Sequence, residues 1–123
     1  MGLFDAWKNK KKRKSIDKER QHWEALTKES ILLFEDRKEW LDHNDYYEVL
    51  ITRYYLTPQN LIIREGCSFT VDAHTLWHAE SQTFRQFITF DELHRAIEQT
   101  DNQKAIAFRG MSADNCREYI EKA

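Results

Sequence analysis

The densest group of side chains able to hold a metal ion lies between residues 67 and 80: Cys67, Asp72, His74, His78 and Glu80. Zinc takes thiolate, imidazole and carboxylate ligands, so the chemistry of this set is suitable. Spacing decides the geometry. On a helix, His74 and His78 stand one turn apart on one face and chelate together. On a strand they share a face but lie about 13 Å apart, too far for one ion. Phe69 and Val71 alternate with polar neighbours, as do Leu76 and His78, and that is the period of a strand. The expectation is two histidines on a half-exposed sheet face. His74 and His78 stay a minor metal reading, and no metal or cofactor is assigned.

Other chemistries are narrowed by missing motifs. His78-Ala79-Glu80 resembles the first half of the zinc-deaminase signature, but the second half, Pro-Cys-x-x-Cys, is absent and Cys116 follows Asn115. Phosphate cradles need several glycines so that backbone can approach the phosphates. The chain has Gly2, Gly66 and Gly110 only, in neither a P-loop nor a dinucleotide-binding arrangement. There is no G-x-S-x-G and no C-x-x-C. Arg109-Gly110-Met111-Ser112 reads as a strand leading into a helix N-terminus, where free N–H groups can hold an anion. An ordinary cap explains the same residues. The chain reads as non-catalytic.

Charge is unevenly placed. Residues 1–14 carry Lys8, Lys10, Lys11, Lys12, Arg13 and Lys14 against Asp5, a local +5, so a total of −2 leaves −7 on residues 15–123. A basic tail on an acidic body has three readings. It is a solvated terminus. Or it touches an anionic membrane, with Leu3, Phe4 and Trp7 inserted beneath the lysines, weakly and reversibly. Or it contacts nucleic-acid phosphates without sequence preference. Ala6 breaks the myristoylation pattern. No apolar run is long enough to span a bilayer. Cys67 and Cys116 lie far apart and no export signal is seen, which predicts free thiols and a cytoplasmic location.

The elements that must position these groups follow from periodicity. Ile16, Trp23, Leu26, Leu33 and Trp40 predict one long amphipathic helix from Ser15, or two with a break near Ser30. Residues 45–56 fit both types. Tyr47, Leu50, Ile51, Tyr54 and Tyr55 repeat at helical spacing behind an Asp45–Glu48 capping box, while Tyr, Val, Ile and Thr favour strand. Helix is preferred slightly. Thr57-Pro58 ends the element. Short strands at 61–64, 68–72, 75–80 and 83–89 predict an antiparallel meander interrupted at Gly66. Thr89 and Glu92 form a capping box, with Ile88 and Leu93 at the staple positions. A strand over 104–109 and a helix capped by Ser112 complete a β-α-β-α run with a parallel crossover.

The expected fold is α+β: a basic tail over 1–14, then one domain over 15–123. That domain has a long N-terminal helix, a mixed, mostly antiparallel sheet of four to five strands, and two short C-terminal helices. Trp23, Trp40, Trp77, Tyr46, Tyr47, Tyr54 and Tyr55 are many for a domain this size. Buried core accounts for most of them, but Tyr46-Tyr47 and Tyr54-Tyr55 cannot all point inward from one helix, so some are expected on a binding face. The leading functional expectation is a small interaction domain of inhibitor, immunity or adaptor type, docking a protein partner through its acidic, aromatic-bearing body. The alternatives are an accessory protein held at an anionic membrane or nucleic acid by its tail, and a small metal or enzymatic domain using the His74/His78 region.

Overall fold

The structure, a computed structural model, describes residues 18–42, 44–72, 74 and 78–122, with backbone alone at 78–81. The basic tail with Lys8, Lys10, Lys11, Lys12, Arg13, Lys14 and Trp7 lies outside the described residues, as do Trp77 and the His78 ring.

Helix α1 covers 18–29. Its last turn closes when Ser30 N donates to Thr27 O at 3.1 Å and Ser30 Oγ bonds back to Leu26 O at 2.6 Å. The chain then extends, so the long helix to Trp40 is corrected. Residues beyond the break near Ser30 form β1 (Ile31–Leu41), which pairs along its length with β2 (Tyr46–Leu56). The preference for helix over 45–56 is also corrected. Leu33 and Trp40 fall on the helical stripe by coincidence, and Asp45 is a turn residue at φ 62 rather than a cap. Pairing on both sides makes β2 a central strand, where its Tyr, Val, Ile and Thr pack best.

β3 (Ile62–Asp72) and β4 (His78–Ile88) are continuous where shorter segments were expected. Gly66 does not break β3. The ring of Phe84 on β4 occupies the space a Cβ would need at Gly66, so glycine here admits an aromatic cover from the next strand. The sheet order is β1-β2-β3-β4 and every pairing is antiparallel.

Three helices follow the sheet: α2 (Phe90–Gln99), α3 (Gln103–Ile106) and α4 (Ala113–Glu121). The Thr89 cap forms, with Glu92 N donating to Thr89 Oγ1 at 3.1 Å, but the Glu92 carboxylate accepts from the Thr89 hydroxyl at 3.3 Å instead of from its backbone N–H as a capping box requires. The predicted strand over 104–109, and with it the fifth strand and the parallel crossover, is corrected to a helical turn. Asn102 caps it by accepting from Lys104 N at 2.9 Å. Ala105 and Phe108 are buried three residues apart while Ile106 is exposed, a helical period where alternation was expected.

Register divides the side chains between two faces. On one face Phe34 stacks on Tyr54 at 4.6 Å. They join Leu33, Leu56 and Ile62 of the sheet to Leu93, Ile97, Ala105, Phe108 and Cys116 of α2–α4, and this is the main core. On the other face Trp23 of α1 lies 4.9 Å from Phe87, beside the fully buried Ile63. Burying such side chains contributes roughly 1.5–3 kcal/mol each. Arg117 of α4 ties the β2–β3 turn to the helices, donating to Thr57 O at 2.7 Å and Asn60 Oδ1 at 2.8 Å.

Candidate functional site

The helices meet the sheet at the end where β1 begins and β2 finishes. The opposite end, at the β1–β2 hairpin and the last residues of β3, carries the largest group of exposed apolar side chains alongside carboxylates. Trp40 is 50% exposed, Leu41 54% and Tyr47 43%. Trp40 shares a row with Glu48 and Thr70, and Leu41 shares the opposite face with Tyr47 and Val71. The tip thus presents aromatic or aliphatic surface on both faces.

Its carboxylates are held in place. Asp42 Oδ1 accepts from Asn44 N at 2.8 Å and Tyr46 N at 3.1 Å, shaping the hairpin turn. Asp72 Oδ1 accepts from His74 N at 2.8 Å. Glu48 accepts from Thr70 Oγ1 at 3.0 Å. Asp45 lies 3.4 Å from His74 Nε2. These carboxylates lie on the strand ends and turns that carry Trp40 and Tyr47, and Glu39 beside them pairs with Arg37 at 2.6 Å.

A second electrostatic feature crosses the middle of the sheet on the α1 face. Glu35, Arg53, Glu65 and Arg85 occupy one row, one residue per strand. Arg53 reaches Glu35 at 2.6 Å and Glu65 at 3.2 Å, and Arg85 reaches Glu65 at 2.8 Å. Hydrogen bonding to the Glu35 carboxylate, set against partial burial, holds the Arg53 guanidinium above its ordinary value. Glu65 is 5% exposed, and two guanidinium groups compensate its charge. Sequence reasoning missed this ladder because its members are distant in the chain and only register aligns them.

Two clefts border the sheet. One, of about 320 Å³, lies between the C-terminal end of α2 and the helix-covered face at Asp36, Leu50, Thr52 and Tyr54. Thr100 Oγ1 donates to Asp36 there at 2.5 Å. Burial pushes the Tyr54 hydroxyl up from its ordinary range, so it stays protonated at neutral pH. The other, of about 560 Å³, runs between α1 and β4 and is lined by Glu19, Arg20, Trp23, Glu24, Thr83, Phe84 and Arg85.

His74 sits in the β3–β4 connection, 76% exposed on its side chain and directed at Asp45. His78 begins β4 opposite Val71. Cys67 lies mid-strand on the α1 face opposite Thr83, whereas Cys116 is buried under α4 on the other side of the sheet. Both cysteines are free, and burial pushes the Cys116 thiol up. Among the described residues no three His, Cys, Asp or Glu side chains gather as a metal site. Arg109 and Gly110 join two helices rather than a strand and a helix, with Gly110 at φ 72. Ser112 Oγ already accepts from Asn115 N at 3.3 Å, so that helix start is capped by its own serine. The tyrosine pairs are resolved by the strand: Tyr54 points into the main core and Tyr55 to the α1 face.

No helix among the described residues is long and apolar enough to cross a membrane. In comparisons with protein-family models, curated proteins and solved structures, the chain matches none.

Proposed function

We propose that this α+β domain is a non-catalytic interaction protein of inhibitor, immunity or adaptor type. Its hairpin tip docks a protein partner with a basic surface. The observation that carries this reading is the exposure of Trp40, Leu41 and Tyr47 among Asp42, Asp45, Glu48 and Asp72. Tryptophan and tyrosine supply most of the binding energy where they fill a partner's pocket. Carboxylates around them steer a cationic surface into place and reject an anionic one. The tip rests on paired strands with bonded turns, so little ordering remains to be done on binding.

The test is affinity capture at low salt, followed by a binding titration of the captured protein. Trp40→Ala/Tyr47→Ala is expected to weaken binding at least about a hundredfold, as two hot-spot truncations do. Unchanged affinity for the double variant, with its folded spectrum intact, removes the tip from the interface.

A second reading attaches to the +5 segment over residues 1–14, where Trp7 and the basic run from Lys8 to Lys14 would hold the protein at an anionic membrane or nucleic acid. Deleting residues 1–14 then abolishes sedimentation with anionic vesicles or retention on DNA. Binding that survives the deletion ends that reading.

A further inference from the structure

Among the described residues the sheet has two edge strands, β1 and β4, and they are treated differently. An edge presents a row of unpaired N–H and C=O groups, which proteins usually blunt. β1 is blunted in three ways. A bulge interrupts it between Leu32 and Phe34. Asn102 Nδ2 takes the Glu35 carbonyl at 2.6 Å. Charged side chains run without a break from Glu35 to Glu39.

β4 has its irregularity at its start, opposite Phe69 and Val71, and is regular beyond it. From Gln82 to Phe87 its single charge is Arg85, and that side chain turns inward to Glu65 at 2.8 Å. Phe84 and Phe87, on opposite faces, are 52% and 49% exposed. No described side chain hydrogen-bonds to the backbone of this stretch. Beside it lies the 560 Å³ groove, walled on its far side by α1. Once Arg85 is committed to Glu65, the groove retains two exposed carboxylates, Glu19 and Glu24, against one guanidinium, Arg20.

We propose that the outer edge of β4, between Gln82 and Phe87, takes an extended segment of a protein partner as a fifth strand. A cationic side chain of that segment faces Glu19 and Glu24 and an apolar one on the same face packs against Trp23, while the alternate set lies on the opposite face with Phe84. Alternate residues of β4 supply the main-chain hydrogen bonds, which give affinity with little regard to sequence. The groove supplies the preference, because side chains alternate and one set enters it. This surface is separate from the hairpin tip, and the two stand or fall independently.

The experiment is a titration of the full-length, ¹⁵N-labelled chain with a synthetic peptide alternating lysine with valine and phenylalanine. A second peptide of the same sequence is N-methylated at alternate residues. The first peptide is expected to shift the amides of Gln82–Phe87 and the Trp23 indole, and to slow hydrogen exchange at every second β4 amide. The methylated peptide, which cannot complete the ladder, is expected to bind at least about tenfold more weakly. Glu19→Lys/Glu24→Lys, two exposed changes, is expected to cost the first peptide about tenfold, and Phe84→Lys a similar factor. Thermal unfolding of each variant verifies that the fold is kept. Absence of binding, shifts confined to the tip, or equal affinity for both peptides overturns the proposal. So does a dimer of the free chain that Phe84→Lys dissociates, since a second copy is then the occupant. Peptide binding that persists in Trp40→Ala/Tyr47→Ala leaves this proposal intact whatever becomes of the tip.

Discussion

Replacing Glu65 by glutamine is the sharpest test of the electrostatics inside the sheet. The carboxylate is 5% exposed and accepts from Arg85 at 2.8 Å and Arg53 at 3.2 Å. Each hydrogen bond between charged groups contributes about 1.5–3 kcal/mol, and an amide still accepts one of the two. Arg53 keeps Glu35 at 2.6 Å and remains partly compensated. Arg85, whose side chain is 17% exposed, is left against a neutral group with limited access to water. The expected loss is about 3 kcal/mol, at the lower end of what breaking a buried ion pair costs. At roughly 4 °C per kcal/mol for a domain of this size, Tm falls by about 12 °C. Urea unfolding followed by far-ultraviolet circular dichroism at pH 7 measures the loss. The deficit should persist in about 0.5 M salt, because a buried pair is poorly screened. Arg85→Gln alone and the double variant close a cycle with an expected coupling above about 1 kcal/mol. A loss below about 1 kcal/mol for Glu65→Gln, or single effects that add within about 0.5 kcal/mol, refutes the claim that the row acts as a unit.

The surface pair Arg37–Glu39, about half exposed on both sides, is the contrast: Arg37→Ala should change stability by no more than about 0.5 kcal/mol in the same assay. Thiol alkylation of the native protein should modify Cys67 and spare Cys116, which reacts only as the chain unfolds; equal rates would place α4 off the core. Tyr54 keeps its proton in the folded state above its ordinary value of 10.0, because burial raises it. The unfolded chain releases that proton first, so stability present below pH 10 is lost as pH rises further. Urea midpoints across that range should fall for the wild type and fall less for Tyr54→Phe. Gly66→Ala should expel the Phe84 ring from its seat, visible as new ring contacts by NMR, and Phe84→Ala should restore tolerance of the alanine.

What was legible in the sequence is what short-range chemistry decides. The Thr89 and Ser112 caps were read from the local sequence, and both hydroxyls cap their helices in the structure. The α+β class followed from segments of different period. The strand identity of β1 was hidden because Leu33 and Trp40 satisfy a helical stripe and the deciding partners are on β2, as much as 25 residues away at Ile31↔Leu56. The expected strand over 104–109 failed for the opposite reason. Its apolar residues admit alternation, but Asn102 caps a turn that buries Ala105 and Phe108 together. At the tip, the sequence marked the acidic and aromatic surplus. Only the hairpin register placed Trp40 and Tyr47 beside Asp42 and Asp72. The ladder through Glu65 carried no local signal, since each charge looks like an ordinary solvated residue until four strands align.

The seat of α1 has a consequence for synthesis. The meander joins neighbours in chain order, so each hairpin can zip as it emerges. Trp23 rests on Phe87, which is made about 60 residues later. At ordinary elongation rates of 5–20 residues per second, that delay is on the order of ten seconds. During that interval the apolar side of the first helix has no seat on the nascent chain. A chaperone that recognises exposed aromatic helices therefore has a window that opens when α1 is made and closes when β4 is laid down.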